Sequence, residues 1–127
     1  AAAFWPGALT LIVKQSSTSL LAPALNLDGG NIALRAPGSA AAMELLRAFS
    51  GPITAPSANP SGAAPPHTAQ DVINGLGNVI DAVLDDGPCP GSESTILDLS
   101  GTTPRLLRNG AISSRQVEKI IGPLESS

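Results

Sequence analysis

Thirteen glycines and twelve prolines break this 127-residue chain into short apolar runs. They are scattered between the runs rather than gathered into one tract, so they mark tight turns and not a linker. The elements between them are therefore short and closely connected. Hydrophobic residues make up 43% of the chain and charged residues 13%, enough for a packed core and too apolar for disorder. The length favours one domain over residues 1–127.

The runs set the expected elements. Leu9 to Lys14 reads as a buried strand and Asn31 to Arg35 as a second, after a turn at Asp28-Gly29-Gly30 and before the stop at Pro37. Ser39 is a helix N-cap, and Ala42, Met43, Leu45, Leu46 and Phe49 give that helix an apolar face up to the stop at Gly51. Ile53 to Ala55 reads as a short strand. Thr68-Ala69-Gln70-Asp71 opens a helix to Leu76 with a capping-box pattern. Further strands are expected within Val79 to Leu84, at Thr95 to Leu99 and at Arg105 to Leu107. Ser113-Ser114-Arg115-Gln116 caps a last helix over about 114–121, with Val117, Ile120 and Ile121 as its core contacts. Strands and helices mix without strict alternation, which predicts an α/β layer structure on a mixed sheet.

Composition excludes several function classes. The chain has no Tyr, one Trp and two Phe, so it offers no aromatic platform for stacking single-stranded bases. A net charge of −3 and a pI near 4.8 argue against a strong nonspecific binder of nucleic acid or membrane surface. Cys89 stands alone, which rules out an intrachain disulfide and a Cys-rich metal site and fits a reduced, cytoplasmic setting. The apolar start, Ala1 to Val13, lacks a basic segment and is broken by Pro6-Gly7, so it reads as neither a signal peptide nor a membrane span. Walker A, Gly-x-Gly-x-x-Gly, His-Glu-x-x-His and Gly-x-Ser-x-Gly motifs are all missing.

The polar candidates are few. Ala55-Pro56-Ser57-Ala58-Asn59-Pro60-Ser61-Gly62 forms a rigid, turn-rich loop. Ser57 and Asn59, two apart, point to one side of an extended chain and offer a hydroxyl and an amide to a polar ligand. The alternative is a turn that satisfies its own backbone. Arg35 and Arg108 end apolar strands, and each guanidinium is a fork for a carboxylate or phosphate. The two form one anion site if those strand ends converge; otherwise each snorkels at a sheet edge. Glu93-Ser94-Thr95 brings hydroxyls to the start of a strand. Glu93 has no identifiable partner carboxylate for acid–base work. His67, the single histidine, precedes the Thr68 cap and either meets a ligand there or is solvated. Asp85 and Asp86 read as a solvated turn, with contact to Mg²⁺ as the alternative.

Five stretches in order carry a resemblance to a known family: Phe4-Trp5-Pro6-Gly7-Ala8-Leu9-Thr10, Ala33-Leu34-Arg35-Ala36-Pro37, the Ser57-x-Asn59 loop, Glu93-Ser94-Thr95-Ile96-Leu97-Asp98 and Leu106-Leu107-Arg108-Asn109-Gly110. Together, over about residues 4–112, they resemble the YrdC/TsaC family of L-threonylcarbamoyladenylate synthases. The resemblance implies a YrdC-like twisted, open mixed sheet with flanking helices and a concave, positively charged cavity. It implies synthesis of threonylcarbamoyl-AMP from L-threonine, bicarbonate and ATP with release of pyrophosphate. That product feeds the N6-threonylcarbamoyladenosine modification of tRNA, with the enzymes of that pathway as partners. By the same resemblance Arg35 holds the threonine carboxylate, Ser57 and Ser94 contact threonine, and Asn59, Arg108, Asn31 and His67 serve the nucleotide. Mg²⁺ accompanies ATP with no protein ligand assigned, and no residue is assigned acid–base catalysis.

The chain departs from the family at Ala8, His67, Ser92 and Asn109. It also lacks the Pro-Thr-Glu-Thr-x-Tyr-Gly-Leu segment and the Lys-x-Arg motif that precede the Trp-Pro-Gly region in the family. It therefore resembles the C-terminal two-thirds of an N-terminally truncated domain, with Leu9 to Val13 expected at an exposed sheet edge and little synthesis expected of the segment alone. Two further readings stay open: a noncatalytic nucleotide- or double-stranded-RNA-binding module of the same fold, and a carbamoyl-transfer domain acting on carbamoyl phosphate.

Overall fold

The computed structural model describes residues 1–19, 21, 25, 30–89 and 91–125. In chain order these form β1 (Leu9–Lys14), β2 (Asn31–Leu34), α1 (Ala40–Phe49), α2 (Ala69–Leu76), β3 (Thr95–Asp98), β4 (Arg105–Arg108) and α3 (Ser114–Ile121). The chain divides into two compact units, one of Ala1–Met43 with the residues from Ser92 onward, the other of Glu44–Gly91. The expected turn at Asp28-Gly29-Gly30 lies outside the described residues except for Gly30, whose φ of 74° suits glycine.

The first unit is built on a four-stranded open mixed sheet in the order β2-β1-β3-β4. β1 pairs antiparallel with β2 and parallel with β3, and β3 pairs antiparallel with β4 across a register irregularity at Ile96/Leu97. β1 is thus an interior strand, flanked on both sides. This corrects the expectation that Leu9 to Val13 is an exposed edge; the edges among the described strands are β2 and β4. Alternation along β1 buries Leu9 and Leu11 on one face and turns Thr10 and Ile12 to the other. Leu9, Leu11, Leu97 and Val117 form the buried cluster, with Phe4, Trp5, Val13, Ile112 and Leu124 packed against it. Each such side chain, fully buried, contributes roughly 1.5–3 kcal/mol.

α3 begins as its sequence dictates. The Ser113 hydroxyl accepts from the Gln116 N–H while the Gln116 side chain accepts from the Ser113 N–H. Val117 is buried, but Ile120 and Ile121 are 60% and 43% exposed, contrary to their expected core role. Gly122, at φ 85°, ends the helix, and Leu124 packs against the cluster instead.

The second unit has no strand and no buried hydrophobic side chain among its described residues. The strands expected at Ile53 to Ala55 and within Val79 to Leu84 do not form. Neither segment pairs with a strand among the described residues; Val79 N–H instead donates back to Leu76 O at 2.9 Å, and Pro52 and Pro56 bracket the first segment, removing ladder donors. Both α1 and α2 start at their expected caps: Ser39 Oγ accepts from Ala42 N at 3.2 Å, and Thr68 forms a full capping box with Asp71. At the C-terminus of α1 the left-handed residue is Ser50, φ 59°, rather than the expected Gly51, and Leu45 and Phe49 of the expected apolar face are exposed.

One buried hydroxyl ties the sheet to the loop before α3. Thr95 is fully buried, and its Oγ1 donates to Ile112 O at 2.6 Å while accepting from Gly110 N at 3.1 Å and Ile112 N at 3.0 Å. The loop comes so close that a Cβ on Gly110 would lie 2.4 Å from Glu93 O and 2.6 Å from Ser94 C and Thr95 N. Thr95→Val keeps the shape and strands two N–H groups and a carbonyl. It is expected to lower stability by about 1–3 kcal/mol or more, read by urea unfolding; an unchanged midpoint refutes the anchoring role.

Candidate ligand-binding site

Strand directions decide which candidates meet. With β1 and β3 parallel and β2 and β4 running against them, the C-terminal ends of β2 and β4 lie at the same end of the sheet as the N-terminal ends of β1 and β3. Arg35 follows β2, Arg108 closes β4, Ser94 precedes β3 and Thr10 stands second in β1. All four therefore gather at one end. The two arginines' strands are three strand spacings apart, roughly 14 Å, so the arginines flank this end and do not share one contact. Asn31 begins β2 opposite Lys14, about 13 Å of extended chain from Arg35, at the far end of the sheet.

Arg35 is exposed, and its Nε donates to Gly7 O at 2.9 Å. That bond orients the guanidinium and leaves both terminal nitrogens clear of the described residues, a fork presented outward. Gly7 must be glycine here, because a Cβ would lie 2.5 Å from Phe4 O.

Arg108 is held quite differently. Its Nε donates to Ser94 O at 2.9 Å and its Nη2 to Ser94 Oγ at 3.0 Å. Its Nη1 lies 3.1 Å from Glu93 Oε1 in an ion pair whose partners are 36% and 60% exposed. An ion pair so exposed contributes little to stability, but the three contacts together fix the guanidinium across the Glu93–Ser94 step. Ser94 is 6% exposed, and its Oγ also lies 2.8 Å from Thr10 Oγ1. The Glu93 pairing and the Thr10 contact went unforeseen. Thr10 carried one usable signal, a hydroxyl on the face of β1 opposite Leu9 and Leu11.

The remaining candidates lie in the second unit. Ser57 is exposed and bonds to no described residue. Asn59 Nδ2 donates to Pro60 O and Ala63 O, both at 3.0 Å, so the amide braces its own loop as the turn alternative anticipated. Its Oδ1, however, is buried without a hydrogen-bond partner among the described residues, a state that calls for a donor. Asn59, Pro60, His67 and Asp71 help line a cleft of about 450 Å³. His67 clasps the loop after the Asp85-Asp86 turn: Cys89 N donates to His67 O at 2.8 Å, and the ring's Nδ1 lies 3.4 Å from Cys89 O. Among the described residues no three His, Cys, Asp or Glu side chains group to hold a metal ion, and no helix is long and apolar enough to cross a membrane.

The Thr68 side chain, then the His67 backbone N–H, hold the Asp71 carboxyl below its ordinary 3.8. A carboxyl depressed in the folded state stabilises it above the unfolded pKa and loses that contribution as pH falls through the folded value. Asp71→Asn is thus expected to lower the melting midpoint near neutral pH, with the gap closing as pH drops below 3.8. Circular-dichroism melts across that range check this; a constant gap removes the carboxylate charge from the cap.

An open mixed sheet that carries two guanidinium groups and a hydroxyl pair at one end defines the class: an α/β domain with a polar, charge-bearing sheet end. The family model described as "Telomere recombination", that of the Sua5, YciO and YrdC proteins, matches residues 1–110. The chain belongs to this family. It is 42% identical over 125 residues to a putative threonylcarbamoyl-AMP synthase of Mycobacterium tuberculosis, covering 94% of this chain and 54% of that protein. It is 41% identical over 122 residues to a threonylcarbamoyl-AMP synthase of Bacillus subtilis, covering 95% and 35%. The structure of P. abyssi Sua5 complexed with L-threonine superposes with a TM-score of 0.91 at 35% identity, over 98% of this chain and 36% of that one. The chain thus spans about half, or less, of the length of these relatives.

Proposed function

We propose that a protein carrying this chain is a threonylcarbamoyl-AMP synthase acting for N6-threonylcarbamoyladenosine modification of tRNA, in the cytoplasm. The observation that carries the reading is the gathering of Arg35, Ser94, Thr10 and Arg108 at one sheet end, in a chain so similar to named synthases. A relative of this fold was solved with L-threonine, and an oriented, outward guanidinium such as that of Arg35 suits an amino-acid carboxylate.

In the proposed reaction the threonine nitrogen takes up bicarbonate, with loss of water, to form a carbamate. A carbamate oxygen attacks the α-phosphorus of ATP, and pyrophosphate leaves. Chemistry of this kind asks the protein for alignment and charge stabilisation. Arg35 holds the carboxylate, with Ser57 and Ser94 on the threonine side. Asn59 serves the nucleotide, its orphaned Oδ1 accepting from a ligand donor. Arg108, Asn31 and His67 complete the nucleotide contacts that the resemblance implies. Mg²⁺ enters with the ATP phosphates as part of the substrate.

The test is pyrophosphate release by the full-length protein with MgATP, bicarbonate and L-threonine. Release is expected to require all three. Arg35→Ala is expected to raise the threonine KM by the equivalent of about 1.5–3 kcal/mol, roughly 10- to 150-fold, with the ATP KM unchanged. Nucleotide binding without threonine-dependent release overturns the synthase reading in favour of a noncatalytic nucleotide-binding module.

A further inference from the structure

The contacts around Ser94 specify more than a general place on the threonine side, and the inference they carry rests on the reading of the sheet end as a threonine site. Arg108 Nη2 has protons and no lone pair, so at 3.0 Å it donates to Ser94 Oγ and occupies one of its two acceptor positions. Ser94 Oγ and Thr10 Oγ1 then share one hydrogen bond at 2.8 Å. If Ser94 donates in that bond, the Thr10 proton stays available. If Thr10 donates, the Ser94 proton stays available. In both arrangements the pair is left with one O–H and with oxygen lone pairs. The guanidinium thus consumes acceptor capacity and leaves the donor untouched.

This inventory matches one group of an amino acid better than the others. A carboxylate has no proton for the free lone pairs, and an ammonium has no lone pair for the free O–H. A hydroxyl has both. Charge agrees: Glu93 balances the guanidinium at 3.1 Å, so the hydroxyl pair sees a locally neutral ion pair rather than a bare cation that favours an anion. Thr10 is half-buried on the face of β1 away from the leucine cluster, where its oxygen meets no other described partner.

We propose that Thr10 is a specificity-determining residue: with Ser94, and with Arg108 and Glu93 as positioning residues, it reads the side-chain hydroxyl of L-threonine. On the threonine side Arg108 then acts through Ser94, with two of its five N–H groups left for the nucleotide, whereas Arg35 takes the carboxylate. A site built to hydrogen-bond a ligand hydroxyl discriminates strongly against the analogue that lacks it, because the site's own polar groups are then left unpaired.

The experiment compares L-threonine with L-2-aminobutyrate, which lacks only the hydroxyl. Binding of each to the full-length protein is measured by calorimetry for wild type, Thr10→Val and Thr10→Ser, with a melting curve and a pyrophosphate-release assay for each protein. Wild type is expected to prefer L-threonine by about tenfold or more. Thr10→Val is expected to remove most of that preference by weakening threonine while leaving 2-aminobutyrate unchanged, and Thr10→Ser to restore it. A preference that survives in Thr10→Val overturns the proposal. So does an equal loss for both ligands, which, with a lowered melt, marks the hydroxyl as structural. A wild type that does not bind L-threonine overturns it too. If wild type binds and discriminates but releases no pyrophosphate, the synthase reading fails while the comparison still decides the role of Thr10.

Discussion

The parallel seam between β1 and β3 is the constraint on which the rest of this structure depends. It sets Leu9 beside Thr95 and Leu11 beside Leu97, and so supplies three of the four side chains of the buried cluster. It also brings Thr10 and Ser94, 84 residues apart, within hydrogen-bond distance. The two antiparallel pairings then carry consequences outward. Each antiparallel partner returns toward the same end, and an arginine stands at the end of each. Had β1 and β3 run antiparallel, the arginines would sit at opposite ends of the sheet.

The sheet end is economical in charge. The chain carries few ionisable groups, and two of its arginines stand here in different states. Arg35 is steered by a single carbonyl and left open, whereas Arg108 is bound on every side that the described residues offer. The first arrangement suits binding a ligand's charge; the second suits fixing the polarity of neighbours. Guanidinium geometry permits both, because its donors are planar and rigidly spaced.

Much of this was legible in the sequence. Period-2 alternation in Leu9 to Lys14, the Thr68–Asp71 and Ser113–Gln116 caps and the Gly-Pro stops located the helices and the four strands to within about a residue or two. What the residues do not encode locally is partnership. Ile53 to Ala55 and Val79 to Leu84 have strand-like composition, yet no strand among the described residues pairs with them, so they remain irregular. Asn59 offers a ligand contact or a loop brace, because an amide serves both; its nitrogen braces the loop, and its oxygen is buried without a partner among the described residues. Thr10 passed as an ordinary strand residue, since threonine favours strands on packing grounds alone. Its contact with Ser94 is what sequence distance hides.

The seam also sets how this architecture tolerates change. Seen from Thr10 and Ser94, everything between them is one loop closure, whose entropy grows only with the logarithm of its length. Doubling that length costs about 0.6 kcal/mol, less than removing one buried methylene at about 0.8 kcal/mol. Exposed irregular turns within that span therefore lengthen at small thermodynamic cost to the sheet, whereas Leu11, β2 and Arg35 within it are held by packing and pairing. A single carbon lost from Leu11 or Leu97 costs the sheet more than doubling such a turn.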